Sequence, residues 1–496
     1  MDSNVVTTDT FLQTEKNYGL FENRIDGVPY WGFYRGVIWN FHILGPRLAL
    51  DYQMREKAKD PDSRIVKIAK SLFHATIAYR GKLKKDVDVC FIGSGRKVKK
   101  GDYYYCPYTD NIKEVFDHSS ITLELPHLRQ HYKPSKNNDV YYLDYITSIV
   151  AIYSFINKRL NKSYYKRIQE LIYEQTAPAF MALAKGYQVE LDITRLVESL
   201  SVIVVQNKMR FKLYKKLFKK MKPKLIVEGD NSGNNMAITE VARSMNIPTV
   251  LLQYCPFTKY TLAYQYATER EISWFPDKIF LYSDFWRNTI KLPIPDANIV
   301  SVGCPYFEES VRKYKAHSRN CNKKTLLFLS QDAIGYEFSK FAVEVWRRLP
   351  QEEYHIIFKF HPREYSIGVE QYTWLSETSI EVVDSPEKNL YECFAQSDIQ
   401  IGVYSTAVFE GLGFDLVTYL YKIGKSDAVE DLVQYGYANW VHDSEELCQY
   451  IQAADKTDKN MSGMFWEKDS LNNMKREIEK ILAEEHVKKI QEVKGE

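Results

Sequence analysis

Closely spaced cysteines are missing from this sequence, and their absence argues against two kinds of stabilising or functional feature, a disulfide framework and a zinc site. The seven cysteines are scattered, odd in number and never form a Cys-x-x-Cys pair. This pattern is typical of reduced thiols in the cytosol and argues against a disulfide framework and a zinc site. A secretion leader and any run of about 18 apolar residues are also missing. We therefore expect a cytoplasmic protein with no membrane span and no metal centre.

A strong excess of one charge is absent as well. The formal net charge is +3 over 496 residues, which argues against a general nucleic-acid binder. Apolar residues make up 45% and charged residues 26% of the chain, as in ordinary soluble globular proteins. The chain is long for one hydrophobic core, so its length predicts two domains.

The N-terminal part is rich in aromatic residues and leads into a glycine turn. The pattern predicts a helix from Tyr30 to Ile43, with Arg35 and Arg47 in apolar surroundings. Packing on the body of the protein is favoured over contact with a membrane surface. Further on, the strand "VDVCFIGSG" ends in a turn that lacks the third glycine of a dinucleotide fingerprint. This excludes a Rossmann-type cofactor, and we expect none.

Two successive halves then alternate between strand and helix patterns. The segments "PKLIVEG", "NMAITEVARSM" and "IPTVLLQY" form a βαβ unit, and the alternation restarts at Lys324 after a charged, turn-rich linker at residues 310–323. We expect an α/β fold with two Rossmann-like, parallel-sheet domains. The predicted units are residues 1–310 with a helical N-terminal extension, residues 311–465, and an amphipathic C-terminal helix at 466–496.

Polar residues follow almost every predicted strand of both halves. Ligands of open α/β sheets bind outside the carboxyl ends of the strands, so these residues are candidates for a binding site. They are Glu228, Asp230, Gln253, Gln331, Asp332, His361, Ser405 and Thr406.

The segment from Ser405 to Glu410 has two interpretations. Ser or Thr at a helix start is an ordinary N-cap. The same helix terminus can also hold a phosphate, and Glu410 lies one turn beyond Thr406 on the same helix face. A phosphate at the helix end with a carboxylate one turn on suits a nucleotide, whose ribose hydroxyls Glu410 would bind. His361, restrained by Pro362, could then donate to the phosphate of the leaving nucleotide.

The order of these motifs resembles the C-terminal half of GT-B glycosyltransferases that build bacterial surface polymers. Strand-"HP" followed by strand-"ST" and a glutamate is similar to bacterial sialyltransferases, capsule Kdo transferases and teichoic-acid glycerophosphotransferases. The resemblance implies a central cleft and a cytidine-activated donor held by His361, Pro362, Ser405, Thr406 and Glu410. It also implies that the nucleotide-activated sugar is a substrate and that no metal is needed. Gln253 and Gln331 are candidate acceptor or sugar contacts.

The sequence leaves the catalytic carboxylate unassigned, with candidates in both halves. The sialyltransferase pattern places an acidic motif after a strand of the first half, where this chain has Glu228 and Asp230 in a different order. The capsule Kdo transferase pattern places a carboxylate after the first strand of the second half, where this chain has Asp332. We favour Asp332, because the two polar residues of "SQD" have no packing reason to end that strand.

A basic run from Lys208 to Lys224 holds nine Lys or Arg and no acidic residue. It fits either a solvated helix face or a surface for anionic lipid at the inner membrane leaflet, near a lipid-linked acceptor.

The expected activity is transfer of Kdo or another nonulosonate from a CMP donor to a capsule or lipopolysaccharide glycan. A UDP-sugar transferase, a CDP-polyol phosphotransferase or a UDP-GlcNAc 2-epimerase would share the fold. A non-catalytic nucleotide- and polymer-binding assembly protein is the alternative from another class.

Overall fold

The structure, a computed structural model, describes most of the chain. It covers residues 7–47, 73, 82–126, 131–258, 261–267, 271–316, 322–365, 368–424, 426–453 and 462–494. In chain order, strands β1 to β17 span Arg24–Ile25, Val28–Pro29, Val89–Ile92, Val98–Lys100, Tyr103–Tyr105, Ser120–Glu124, Val140–Tyr142, Leu225–Glu228, Thr249–Leu252, Lys278–Leu281, Ile299–Ser301, Lys324–Leu329, Tyr354–Lys359, Glu381–Val383, Ile399–Gly402, Val417–Tyr421 and Asn439–Val441.

Helices separate most of these strands. The α-helices span Asp9–Asn17, Gly32–Val37, Gly45–Arg47, Asp110–Glu114, Asp144–Leu160, Lys162–Tyr187, Ile193–Met221, Gly233–Arg243, Asp284–Arg287, Pro305–Lys315, Gly335–Arg348, Leu390–Gln396, Thr406–Gly413, Glu430–Gln434, Ser444–Gln452, Ser462–Phe465 and Ser470–Lys494. None of the described helices is both long and apolar enough to cross a bilayer.

A seven-stranded sheet forms the first unit, in the order β11-β10-β9-β8-β3-β6-β7 with every pairing parallel. Its central strands are fully buried because helices cover both faces. Alternate residues face opposite layers. Phe91 and Val227 pack with the helix Ser470–Lys494, whereas Ile92 and Ile226 pack with the helices on the other face.

A six-stranded sheet forms the second unit, in the order β14-β13-β12-β15-β16-β17, again with every pairing parallel. The predicted strands "TLLFLS", "YHIIFKF", "IEVVD", "DIQIGVY" and "LVTYLY" are all present. The predicted fold class, α/β of the GT-B type with two parallel sheets, is confirmed by this topology.

Two connections join the units. The helix Pro305–Lys315 contains the first residues of the predicted linker 310–323, of which residues 317–321 lie outside the described part. The chain later returns to the first unit, because the helix Ser470–Lys494 packs under its sheet. At the crossing, Trp466 stacks on Phe307 with ring centroids 4.0 Å apart.

The aromatic N-terminal segment is part of the protein core, as predicted. The helix Gly32–Val37 continues as a π-helix over Ile38–Leu44, and Trp31, Trp39 and Ile43 are buried. The side chain of Arg47 lies outside the described part of the structure.

Arg35 anchors this segment through a buried ion pair. Its Nε and Nη2 donate to the two carboxylate oxygens of Glu15, both at 2.6 Å. Its remaining donors bind the carbonyl oxygens of Leu262 at 2.5 Å and Gln265 at 2.9 Å. Trp31 also donates to Glu15 at 2.6 Å. The pair is stable because every polar atom of the guanidinium and the carboxylate finds a partner.

Replacing Arg35 by Met should therefore destabilise the protein strongly. The variant leaves the Glu15 carboxylate buried without its cation, which costs about 3–5 kcal/mol. Lys158→Met, which removes an exposed partner of Glu198, should cost about 0–1 kcal/mol. Urea denaturation of both variants measures the difference. Equal losses in the two variants would contradict the assigned role of the buried pair.

Candidate functional site

Most of the predicted residues lie at the carboxyl ends of strands in the two sheets. Asp230 follows β8 in the first unit. In the second unit, Asp332 follows β12, His361 follows β13 and Ser405 follows β15. The parallel register places the last residues of neighbouring strands side by side, as with Leu329 and Lys359.

Ser405 is the N-cap of the helix Thr406–Gly413. Its backbone is extended, and its Oγ accepts a hydrogen bond from the N–H of Ala407 at 3.2 Å. Thr406 is exposed. Gln331 joins this turn to the neighbouring strand end, because its Oε1 accepts from the N–H of Tyr404 at 3.3 Å. The capping interaction and an accessible helix terminus are thus both present at this strand end.

Glu410 lies one helical turn further on, at the boundary between the two units. Its carboxylate accepts a hydrogen bond from the hydroxyl of Tyr391 at 3.4 Å. The ring of Tyr391 lies 6.0 Å from that of Tyr306, which belongs to the helix leaving the first unit. Desolvation raises the pKa of Glu410 to about 7, although Tyr391 and Arg96 favour the charged form. Its carboxylate is therefore only partly ionised at neutral pH.

Arg96 is a residue of this site that the sequence reasoning missed. It follows the turn Gly93-Ser94-Gly95 at the end of β3, and its Nη1 donates to the carbonyl of Tyr254 at 3.2 Å. Desolvation raises the pKa values of Asp230 in the first unit and Glu410 in the second, and the charge of Arg96 opposes both increases. The glycine turn, excluded as a dinucleotide site, thus carries a cation between carboxylates of the two units.

His361 is held at the end of β13 by its own turn. Its backbone N–H donates to Glu364 at 2.8 Å, and its Nδ1 accepts from the N–H of Arg363 at 3.2 Å. Because Nδ1 is an acceptor here, the neutral ring carries its proton on Nε2. Pro362 is exposed beside it. The ring can therefore act as a donor through Nε2.

Asp332 lies next to the His361 turn. Its Oδ2 is 3.5 Å from the Nη1 of Arg363, and its side chain is 25% exposed. This ion pair joins the turns after β12 and β13. The predicted catalytic carboxylate of the second half is therefore accessible and paired with a residue of the His361 turn.

Glu228 and Asp230 occupy different environments. Glu228 is fully buried, accepts from the hydroxyl of Thr239 at 2.8 Å, and has a pKa that desolvation raises well above its ordinary value. Strand alternation places it on the same face as Ile226, under the helix Gly233–Arg243. It therefore does not face the cleft, which differs from the prediction. Asp230 is half-buried in the loop beyond.

Asp230 is the partly exposed carboxylate that follows β8 in the first unit. Its Oδ1 accepts from the N–H of Ser232 and from the Nδ2 of Asn235, both at 3.0 Å. Desolvation raises its pKa, while hydrogen bonds from Ser232 and the charge of Arg96 oppose the increase. A carboxyl group with a raised pKa beside a cleft has the properties of a general base.

Gln253 has an internal role in the structure. Its side chain is 1% exposed, its Nε2 donates to the carbonyl of Cys255 at 3.0 Å, and its Oε1 accepts from the N–H of Tyr282 at 2.8 Å. Both ends of the amide are thus occupied by backbone groups, in contrast to the predicted contact with acceptor or sugar. Gln253 holds the loop after β9 against the end of β10.

No group of three or more His, Cys, Asp or Glu side chains within the described ranges is arranged to hold a metal ion.

No protein-family model and no curated protein matches this chain. Among solved structures, it is similar to UDP-GlcNAc 2-epimerase from Methanocaldococcus jannaschii at 12% identity, with a TM-score of 0.46 over 79% of this chain and 98% of that chain. The wall teichoic acid polymerase TagF is 10% identical, with a TM-score of 0.45 over 85% of this chain and 94% of that chain. MurG from Acinetobacter baumannii is 10% identical, with a TM-score of 0.42 over 79% and 99%. At these identities and TM-scores the likeness concerns the fold alone and carries no argument about activity.

Proposed function

We propose that the chain is a metal-independent glycosyltransferase that moves Kdo or another nonulosonate from a CMP-activated donor to a growing capsule or lipopolysaccharide glycan. The observation that carries the proposal is the set of polar groups at the carboxyl ends of the strands in both sheets. They are the capped helix at Ser405, Glu410 with its raised pKa, the His361 turn and, from the first unit, Arg96 with Asp230.

The donor nucleotide would lie on the second unit. The N–H groups at the start of the helix Thr406–Gly413 bind its phosphate without a cation. Glu410 binds the ribose hydroxyls when its carboxylate is ionised. The Nε2–H of His361 donates to the phosphate oxygen on which charge develops as the glycosidic bond breaks. Pro362 and Thr406 complete the nucleotide contacts.

The acceptor would approach from the first unit, with the base still to be assigned. In an inverting reaction Asp230 deprotonates the acceptor hydroxyl, and its raised pKa suits that role. In a retaining reaction Asp332, beside His361, is the essential carboxylate. The burial of Glu228 favours Asp230 as the candidate of the first unit.

The basic run Lys208–Lys224 would hold the enzyme near a lipid-linked acceptor at the inner face of the cytoplasmic membrane. In the helix Ile193–Met221 its apolar side chains, such as Tyr214 and Leu217, are buried. Exposed lysines cover the outer side: Lys212, Lys215, Lys216, Lys219 and Lys220. A basic outer helix face attracts anionic lipid headgroups.

The proposal is tested by incubating the full chain with CMP-, CDP-, UDP- and GDP-activated donors and measuring nucleotide release. We expect turnover with a CMP donor and an acceptor glycan, undiminished by EDTA, because helix N–H groups rather than a cation hold the phosphate. Turnover with UDP-sugars or CDP-polyols only would identify one of the alternatives on the same fold. Binding of CMP without turnover of any donor would favour an assembly protein.

His361→Ala should lower kcat by on the order of 10²-fold, because it removes a donor that stabilises charge only in the transition state. His355→Ala is the matched control, since His355 lies at the other end of the same strand and bonds Glu381 at 2.9 Å. Steady-state kinetics with the accepted donor give the comparison. Wild-type turnover in His361→Ala would remove this residue from the reaction.

Donor affinity should increase as pH rises through about 7, because the Glu410 carboxylate that binds ribose forms in that range. Between about pH 6 and about pH 8 the ionised fraction rises roughly tenfold for a group with this pKa. Calorimetric titration with CMP across this range should show the change in wild type and lose most of it in Glu410→Gln. A pH dependence retained by Glu410→Gln would assign the titration to another group.

A further inference from the structure

Glu364 is a fully buried carboxylate that none of the roles above uses. It lies in the turn after β13, three residues beyond His361, and is 0% exposed. No Lys, Arg or His side chain forms an ion pair with it among the described residues, since the neighbouring Arg363 pairs with Asp332. Desolvation raises its pKa, and hydrogen bonds from neutral groups oppose the increase.

Three donors from three segments converge on this carboxylate. The backbone N–H of His361 donates to its Oε2 at 2.8 Å. The hydroxyl of Ser330, directly after β12, donates to its Oε1 at 3.0 Å. The hydroxyl of Tyr372, from the segment Val369–Leu375, donates to the same oxygen at 2.9 Å. Glu364 thus connects the ends of two neighbouring strands to the segment that follows them.

The space around the carboxylate is closely filled. A Cβ added to Gly335, at the start of the helix Gly335–Arg348, would lie 2.2 Å from the Oε1 of Glu364 and 2.5 Å from the hydroxyl of Tyr372. The first turn of that helix therefore lies directly against the buried carboxyl group, where the helix dipole favours the ionised form.

We propose that Glu364 is a positioning residue for His361. It fixes the backbone of His361 from one side, while the N–H of Arg363 fixes Nδ1 from the other. Together the two contacts hold the ring with its Nε2–H directed to the donor phosphate. The reaction role rests on the proposed function of His361. Packing alone would be served by an apolar side chain, whereas one backbone N–H and two hydroxyls that converge on the group require hydrogen-bonding atoms on both arms of the side chain.

Glu364→Leu should lower kcat by about 10- to 100-fold while the Kd for CMP stays close to wild type. Glu364→Gln should keep most of the activity, because its carbonyl can accept from His361 and its amide can donate to the two hydroxyls. Tyr372→Phe removes one bond only and should have an intermediate effect. Glu381→Gln, on the neighbouring strand β14, is the control for loss of a carboxylate in the same sheet.

A double-variant cycle separates positioning from general destabilisation. If Glu364 acts through His361, the variant His361→Ala with Glu364→Leu should be no slower than His361→Ala alone. Losses of kcat that multiply in the double variant would overturn the proposal. A kcat equal to that of wild type in a folded Glu364→Leu protein would also overturn the proposal.

A second measurement does not depend on turnover. In the full chain labelled with ¹⁵N-histidine, the ring of His361 should show a protonated Nε2 and an unprotonated Nδ1 above its pKa, identified by its absence in His361→Ala. Glu364→Leu should shift these signals toward a mixture of tautomers, and Glu364→Gln should restore them. An unchanged pattern in Glu364→Leu overturns the positioning role. Absence of turnover in wild type would instead refute only the proposed function.

Discussion

Parallel pairing of the strands is the constraint on which the site depends. In a parallel sheet every strand ends at the same edge, so residues far apart in the chain are brought together without any direct attraction between them. The register of β12 with β13 and β15 places the residues after Leu329, Lys359 and Gly402 at one edge. The register of β3 with β8 does the same for the turns that carry Arg96 and Asp230. Local loop chemistry only refines an arrangement that the backbone has already made.

Desolvation then gives the charges at these edges their properties. Glu410 and Asp230 are largely surrounded by protein, and burial raises the pKa of each above its ordinary value. Arg96 opposes both increases, so a single cation of the first unit influences carboxylates of both units. Because its effect acts between the units, a change in their separation would change the ionisation of Glu410.

Buried charge appears in two forms in this protein. At the N-terminal segment, Arg35 and Glu15 neutralise each other and satisfy nearly all of their hydrogen-bonding groups, which holds the aromatic segment in the core. At the His361 turn, Glu364 pairs with no cation among the described residues and is held by neutral donors beside a helix start. The first arrangement depends on an exact charge partner. The second depends on the relative position of three backbone segments, and therefore responds to geometry.

Much of the architecture followed from the sequence itself. Apolar runs such as "TLLFLS" and "YHIIFKF", bounded by polar residues, predicted the strands and therefore the ends at which His361, Asp332 and Ser405 lie. The cap at Ser405 and the i,i+4 position of Glu410 are local properties of one helix, so sequence spacing was sufficient to predict them.

Tertiary structure alone decided which of these groups lie at the boundary between the units. Strand alternation with a covering helix buried Glu228, backbone carbonyl and N–H groups occupied Gln253, and the packing of two units brought Arg96 near Glu410. Glu364 gained its three donors from segments that meet only in the folded chain. Contacts of this kind depend on distances between residues remote in sequence, which no local pattern of residue types contains.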